Sequence, residues 1–326
     1  MKTIIPAVAL AVVIVAPGGG LAKEGGGRDV AFVAAEDEDA VIAFEVRSGR
    51  VLRRFRVPNG PHNVAARWPA ELVLVTSPPA GRLTLIDAAR MRIVRVLRLG
   101  GYPHDVEIDP DGRYAYVTLE RAGSVAVVSL RTRRVVQRVR VPSGPHDLTV
   151  TSTDVWVTHG PDARSLTVLD RTRPSRARAA GRVAARGAHD IAVACGRVWV
   201  TYWGSGDVGA YDQLGRRLLR QRAGRLVHHV QAGRNGRKIW ITDHGSGRAS
   251  LLDGCSGRRL ASLAVGAGPH HVAPTTSGTR VVVASHDSGT VTIVHRFLRR
   301  WHVRSLAVGR GLHGVAVAFV PFAGTE

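Results

Sequence analysis

Val141-Pro142-Ser143-Gly144-Pro145-His146-Asp147-Leu148-Thr149-Val150 decides the fold, because it comes round again. Pro or an apolar residue, then His, any residue and Val, Leu or Ile recurs at His62, His104, His146, His189, His228, His270 and His313, with Gly ahead of it at all but His104 and His228. The steps between these histidines are 39 to 43 residues. A fixed period of that size, filled with strand-like sequence, is the signature of a β-propeller.

Each period is filled in the same way. After the His comes a short alternating run such as Asp105-Val106-Glu107-Ile108. A tight turn follows, clearest at Asp109-Pro110-Asp111-Gly112, where Pro presets φ and Gly admits φ > 0. An apolar run ending in Thr is next: Tyr114-Ala115-Tyr116-Val117-Thr118, Val155-Trp156-Val157-Thr158, Val198-Trp199-Val200-Thr201, Ile239-Trp240-Ile241-Thr242. A polar loop leads to a third run such as Ser124-Val125-Ala126-Val127-Val128, and a turn to a fourth, Val135 to Val141. Four short strands with period-2 alternation make one blade. No stretch sustains helical periodicity.

The ends complete the count. Asp29 to Val57 holds a second, third and fourth strand without a first. Gly314-Val315-Ala316-Val317-Ala318-Phe319-Val320 is a first strand with nothing after it. Joined, they make the seventh blade and remove the seam of an open array. The expected fold is therefore all-β: a seven-bladed propeller of four-stranded blades over residues 29–321, followed by a tail, 322–326.

Tyr116-Val117-Thr118, with Asp109-Pro110-Asp111-Gly112-Arg113 before it, resembles the YVTN-type repeat of secreted, YncE-like seven-bladed propellers. The resemblance covers nearly all of the chain after its first residues. It implies the architecture and a binding or scaffold role. More distantly the chain is similar to virginiamycin B lyase-type propellers, whose Pro-His and Thr-Glu positions build a metal-assisted lyase site. Here His189, His228 and Pro269-His270 match the His position, and Thr242-Asp243 matches Thr-Glu with Asp for Glu. The second Glu of that family has no counterpart, since Leu226 or Ala267-Gly268 stand there, so the acid–base pairing is incomplete. Nitrous-oxide reductase offers a further likeness, a seven-bladed hub lined with His that holds copper.

Strand alternation puts the repeated His at one face, and the second strand of each blade returns to that face. Ser77, Leu119 and Glu120, His159, Tyr202 and Trp203, Asp243 and His244, Ser285 and His286, and Ala35 with Glu36 are expected there too. Ten of the fourteen histidines thereby gather at one end of the channel. The repeated His has a structural reading, a bond to a neighbouring loop. The non-repeated His159, Asp243, His244 and His286 favour a site, because convergent imidazoles and a carboxylate suit zinc or copper. The metal-ligand candidates are His146, His159, His189, His228, Asp243, His244, His270 and His286, for zinc, copper or magnesium. His62, His104, His313, Tyr202 and Trp203 are candidates to line a ligand pocket. If the chain is a lyase or lactonase-like enzyme, His189, His228, Asp243 and His270 are the catalytic candidates. There is no nucleophile elbow, phosphate loop or Cys-x-x-Cys. In His228-His229 and His270-His271, the second member is expected to face away from the first.

The formal charge is +21, carried by 43 Arg against 3 Lys. Arg is dense in the fourth strands: Arg53, Arg54 and Arg56; Arg92, Arg95 and Arg98; Arg133, Arg134, Arg138 and Arg140; Arg216, Arg217 and Arg220. Charged outer edges discourage edge-to-edge pairing. The functional alternative is an anionic cell-envelope polymer as partner, alongside a small ligand or an extracellular protein. Few aromatics and no recognition helix exclude sequence-specific nucleic acid. Residues 1–22 read as a signal peptide, one Lys then an apolar run to Pro17-Gly18-Gly19-Gly20-Leu21-Ala22, with a retained anchor as the alternative. Residues 23–28 read as a flexible leader. The mature chain is expected to be an extracytoplasmic monomer without a transmembrane segment. Cys195 and Cys255 fall on hairpin turns at the same face of adjacent blades, as a disulfide or as two separate buried thiols.

Overall fold

The computed structural model describes residues 26–67 and 70–322. They form seven four-stranded antiparallel sheets arranged as blades. Blade 1 holds strands Val64–Arg67, Ala70–Ser77, Arg82–Asp87 and Arg92–Arg98. Blade 2 holds Pro103–Ile108, Tyr114–Leu119, Ser124–Ser129 and Arg134–Arg140; blade 3, Leu148–Val150, Asp154–Val157, Ser165–Asp170 and Arg178–Ala184. Blade 4 runs Ile191–Ala194, Arg197–Tyr202, Asp207–Tyr211 and Arg217–Arg222; blade 5, Val227–Ala232, Lys238–Asp243, Arg248–Asp253 and Arg259–Ala264. Blade 6 holds Pro269–Pro274, Arg280–Ser285, Thr290–Phe297 and Arg300–Ala307. Blade 7 takes its inner strand from Leu312–Pro321 and the other three from Gly27–Ala35, Ala40–Glu45 and Val51–Arg56. The only helical turns among the described residues are four 3₁₀ segments of three residues. No helix there is long and apolar enough to cross a membrane.

The ring closes as the ends predict. Gly27–Ala35 runs antiparallel to Leu312–Pro321, with Val33 opposite Val315 and Ala31 opposite Val317. Gly27 and Arg28, expected in the leader, belong to that strand. The expected signal peptide, most of the expected leader and tail residues 323–326 lie outside the described residues.

Alternation along each strand divides the core among the gaps between blades. In blade 2, Ala115, Val117 and Leu119 face Leu74, Leu83 and Leu85 of blade 1, while Tyr116 packs with Val155 and Val157 of blade 3. A one-residue slip in register would exchange these two sets. Seven such clusters fill the seven gaps.

The repeated Thr is the polar fastening between blades. Thr201 Oγ1 accepts the Asp190 N–H at 3.1 Å within its own blade and donates to the His228 carbonyl of the next at 2.8 Å. Thr76, Thr118 and Thr242 make the same pair of bonds. The outer strands are fastened by arginine. Arg54, Arg138 and Arg259 each donate to the carbonyl that ends the preceding blade, at Val308, Leu99 and Ala223. Part of the Arg excess is thus structural.

Cys195, in the first hairpin of blade 4, is joined by a disulfide to Cys255, in the last hairpin of blade 5, with Cα atoms 5.2 Å apart. The bridge spans 60 residues. In the chain-entropy account a loop of that length stabilises by about 4 kcal/mol. Reduction is therefore expected to lower the melting temperature by roughly 10 °C, given a few degrees per kcal/mol in a chain of this size. Calorimetry with and without a reductant checks this, and unchanged melting would remove the bridge from the stability account.

Candidate functional site

The seven repeated histidines form one closed circle at the end of the channel. Ring centroids of sequence neighbours lie 3.9 to 4.9 Å apart from His62 through His104, His146, His189, His228, His270 and His313, and His313 returns to His62 at 3.6 Å. The circle is held from behind by the Thr fastenings, which fix the backbone on both sides of most of these residues.

Three of them crowd together. Ligand nitrogens of His228, His270 and His313 lie within 4.8 Å of one another. The Nδ1 atoms of all three are buried without a hydrogen-bond partner. Burial pushes His270 down to about 3 and holds His228 and His313 well below the ordinary histidine value; neighbouring imidazoles add to the effect. These rings are neutral near pH 7, the state in which imidazole ligates a metal.

A second group occupies the opposite arc. His104, His146 and Asp147 bring ligand atoms within 4.8 Å of one another. Asp147 lies 2.8 Å from His146 Nδ1, 3.5 Å from His104 Nδ1 and 3.9 Å from His189 Nδ1. Burial alone would raise the Asp147 carboxyl, but His146 and His104 overcome it and hold it well below the usual range. The same carboxylate lifts His104 against the downward pull of burial.

Beneath this circle the residue after each repeated His makes a second layer: Asn63, Asp105, Asp147, Asp190, His229, His271 and Gly314. Asp105, Asp190 and His229 reach sideways to the next blade, accepting the N–H groups of Leu148, Val230 and Val272. His229 and His271 lie 4.0 Å apart, facing each other in this layer. His271 does not turn wholly away from the circle, since it still lies 5.0 Å from His313. Below the second layer a cavity of about 410 Å³ opens toward the far face, lined by Glu107, Thr149, Gln231 and Arg67 among others.

The residues after the repeated Thr separate by position. The second of each pair faces the circle. Trp203 packs on His189, His228 and His244 at 4.9 to 5.6 Å. His244 and His286 lie 5.1 and 5.0 Å from His270, and Glu36 is 3.6 Å from His62. The first of each pair turns between blades. The Tyr202 hydroxyl bonds that of Tyr211. Asp243 accepts the N–H groups of Arg225 and Leu226 and the Ser246 hydroxyl, so its carboxylate holds a loop together. His159 bonds Thr167 and the Ser143 carbonyl. The structure thus brings His146, His189, His228, His244, His270 and His286 together with His62, His104, His313 and Trp203, and directs His159, Asp243 and Tyr202 elsewhere. Residues that the sequence did not single out are Asp147, and Asp287, whose carboxylate bonds His286 at 3.0 Å and lies 3.7 Å from His244.

No protein-family profile matches the chain, and no curated protein matches it by sequence. Solved structures do. A functionally unknown protein from Desulfotomaculum acetoxidans superposes with a TM-score of 0.75 at 13% identity, over 90% of this chain and 99% of that one. A putative 6-phosphogluconolactonase from Bacteroides uniformis gives 0.74 at 13%, over 89% and 100%. The periplasmic gluconolactonase of Pseudomonas aeruginosa gives 0.72 at 19%, over 90% and 99%. What these likenesses share with the chain is the seven-bladed propeller, which supports many unrelated functions.

Proposed function

We propose that this protein is an exported, YVTN-like propeller that binds a transition-metal ion in its histidine circle. The observation that carries the reading is the trio His228, His270 and His313, whose ligand nitrogens lie within 4.8 Å of one another. An all-imidazole donor set suits zinc or copper and disfavours magnesium. Trp203, His244 and His286 pack against this side of the circle. The disulfide fits work outside the cytoplasm, where such bonds persist. The YVTN likeness gains support from the role of its Thr in joining blades.

Chelator-stripped protein should take up zinc or copper stoichiometrically. At a free concentration 100-fold above Kd the ion should stabilise the fold by about 2.7 kcal/mol. His270→Ala should lose an increment of about that size, while His159→Ala, whose ring lies elsewhere, should leave the shift intact. Equal shifts in both variants would remove the site. A second reading takes up the lactonase names of two structural neighbours: an ion in the circle would polarise a lactone carbonyl. Metal-dependent gluconolactone hydrolysis lost in His270→Ala would favour it.

A further inference from the structure

We infer that His104, His146 and Asp147 form a second cation site, distinct from the imidazole trio and on the other arc of the circle. Asp147 breaks the rule of its layer. Asp105 and Asp190 each use one carboxylate oxygen to accept an N–H from the next blade, at Leu148 and Val230. The N–H that Asp147 would take by the same rule belongs to Ile191, and it goes instead to Asp190 Oδ1 at 2.6 Å. Released from that duty, Asp147 turns up toward the circle and meets His146 and His104. It is 5% exposed, so its charge is satisfied inside the protein.

The donor set is two imidazoles and one carboxylate. Three protein ligands leave further positions open for water or a small ligand, the arrangement of reactive rather than structural metal centres. The set carries one negative charge and one hard oxygen, so it suits zinc or ferrous iron, whereas the trio on blades 5 to 7 is neutral and softer. The groups behind the ligands are in place. The Asp147 N–H is held by Thr158 Oγ1 at 2.9 Å, and His104 Nε2 lies 3.0 Å from His62 Nε2, which orients the ring. The cavity that opens on the far face reaches Asp147 but neither His104 nor His146.

The test is equilibrium dialysis of the full, chelator-stripped chain against zinc and, anaerobically, ferrous iron, with circular dichroism to confirm folding. Wild type is expected to hold two equivalents of zinc, Asp147→Asn one, and His270→Ala one. The equivalent left in His270→Ala should be the one that ferrous iron can occupy. His104→Gln on the neighbouring blade must remove the same equivalent as Asp147→Asn, which keeps the test decisive if one variant misfolds. Two equivalents retained in both Asp147→Asn and His104→Gln would overturn the second site. A single wild-type equivalent lost only in His270→Ala would overturn it while leaving the trio standing. A single equivalent lost only in Asp147→Asn would do the reverse.

Discussion

Lowering the pH from 6.5 to 4.5 is expected to cut the melting temperature of the metal-free chain by on the order of 10 °C or more. The cause is the buried imidazoles at the hub. His62, His189 and His229 are held at about 4 and His270 at about 3, with His228, His271 and His313 well below 6.5, burial being the largest cause in each. In the unfolded chain the same rings titrate near 6.5. Between pH 6.5 and about 4 the unfolded state therefore binds more protons, and stability falls as pH falls. One ring held at about 4 corresponds to roughly 3 kcal/mol once the pH is below both values.

Three carboxyls act in the other direction. Burial raises Asp105 to about 8, Glu107 to about 7 and Asp190 well above its ordinary value, with the Asp147 charge as the next cause for the two aspartates. They keep protons that the unfolded chain releases, so they add stability as pH falls from about 8 toward 4. Seven rings against three carboxyls decide the sign below pH 6.5. Near neutrality the two groups nearly balance, which places maximum stability there. Melting scans in EDTA across pH 8 to 4.5 check the shape. A melting temperature that stays level down to pH 4.5 would mean that the circle is hydrated and open.

Reading the sequence identified the circle but misassigned part of its surroundings, and alternation explains the error. The period of His62 through His313 placed seven imidazoles at one mouth, and pairing the two ends of the chain fixed the blade count. The pairs after each Thr were assigned to the mouth together. Successive side chains on a strand point to opposite sides, so Trp203 and His244 face the circle while Tyr202 and Asp243 do not. That distinction was available from period 2 alone. Others were not. Asp105, Asp147 and Asp190 occupy one repeat position, and which oxygen each offers to which N–H is set by neighbouring blades 40 or so residues away. The disulfide needed a Cα separation, 5.2 Å, that no spacing reveals. Asp287 escaped notice because it lies one residue past the repeated pair. Arg54 and Arg138 read as edge charge, yet each fastens one blade to the one before it, as Arg259 also does.

Asp109→Asn is expected to destabilise the protein by about 3–5 kcal/mol, through a partner the turn sequence did not reveal. The Asp109-Pro110-Asp111-Gly112 turn reads as local chemistry, and Asp109 Oδ1 does accept the N–H groups of Arg113 and Tyr114. Its other oxygen, however, accepts from Arg171 Nη2 of blade 3 at 2.7 Å, in a pair whose side chains are 0% and 2% exposed. Arg171 also donates to the Tyr116 hydroxyl and to the carbonyls of Thr151 and Ser152, which leaves it committed on every side. Asn keeps the turn bonds through its amide oxygen but turns an N–H donor toward Arg171, so the loss reports a guanidinium stripped of both its counter-charge and its acceptor. Arg171→Met strands the carboxylate instead and should cost a similar amount. The double variant buries neither charge, and its cost should be well below the sum of the singles, because removing a whole buried pair is far cheaper than breaking one. Denaturant midpoints for the four proteins test this. Additive costs would show that the pair is hydrated and that blades 2 and 3 are held together by their apolar gap alone.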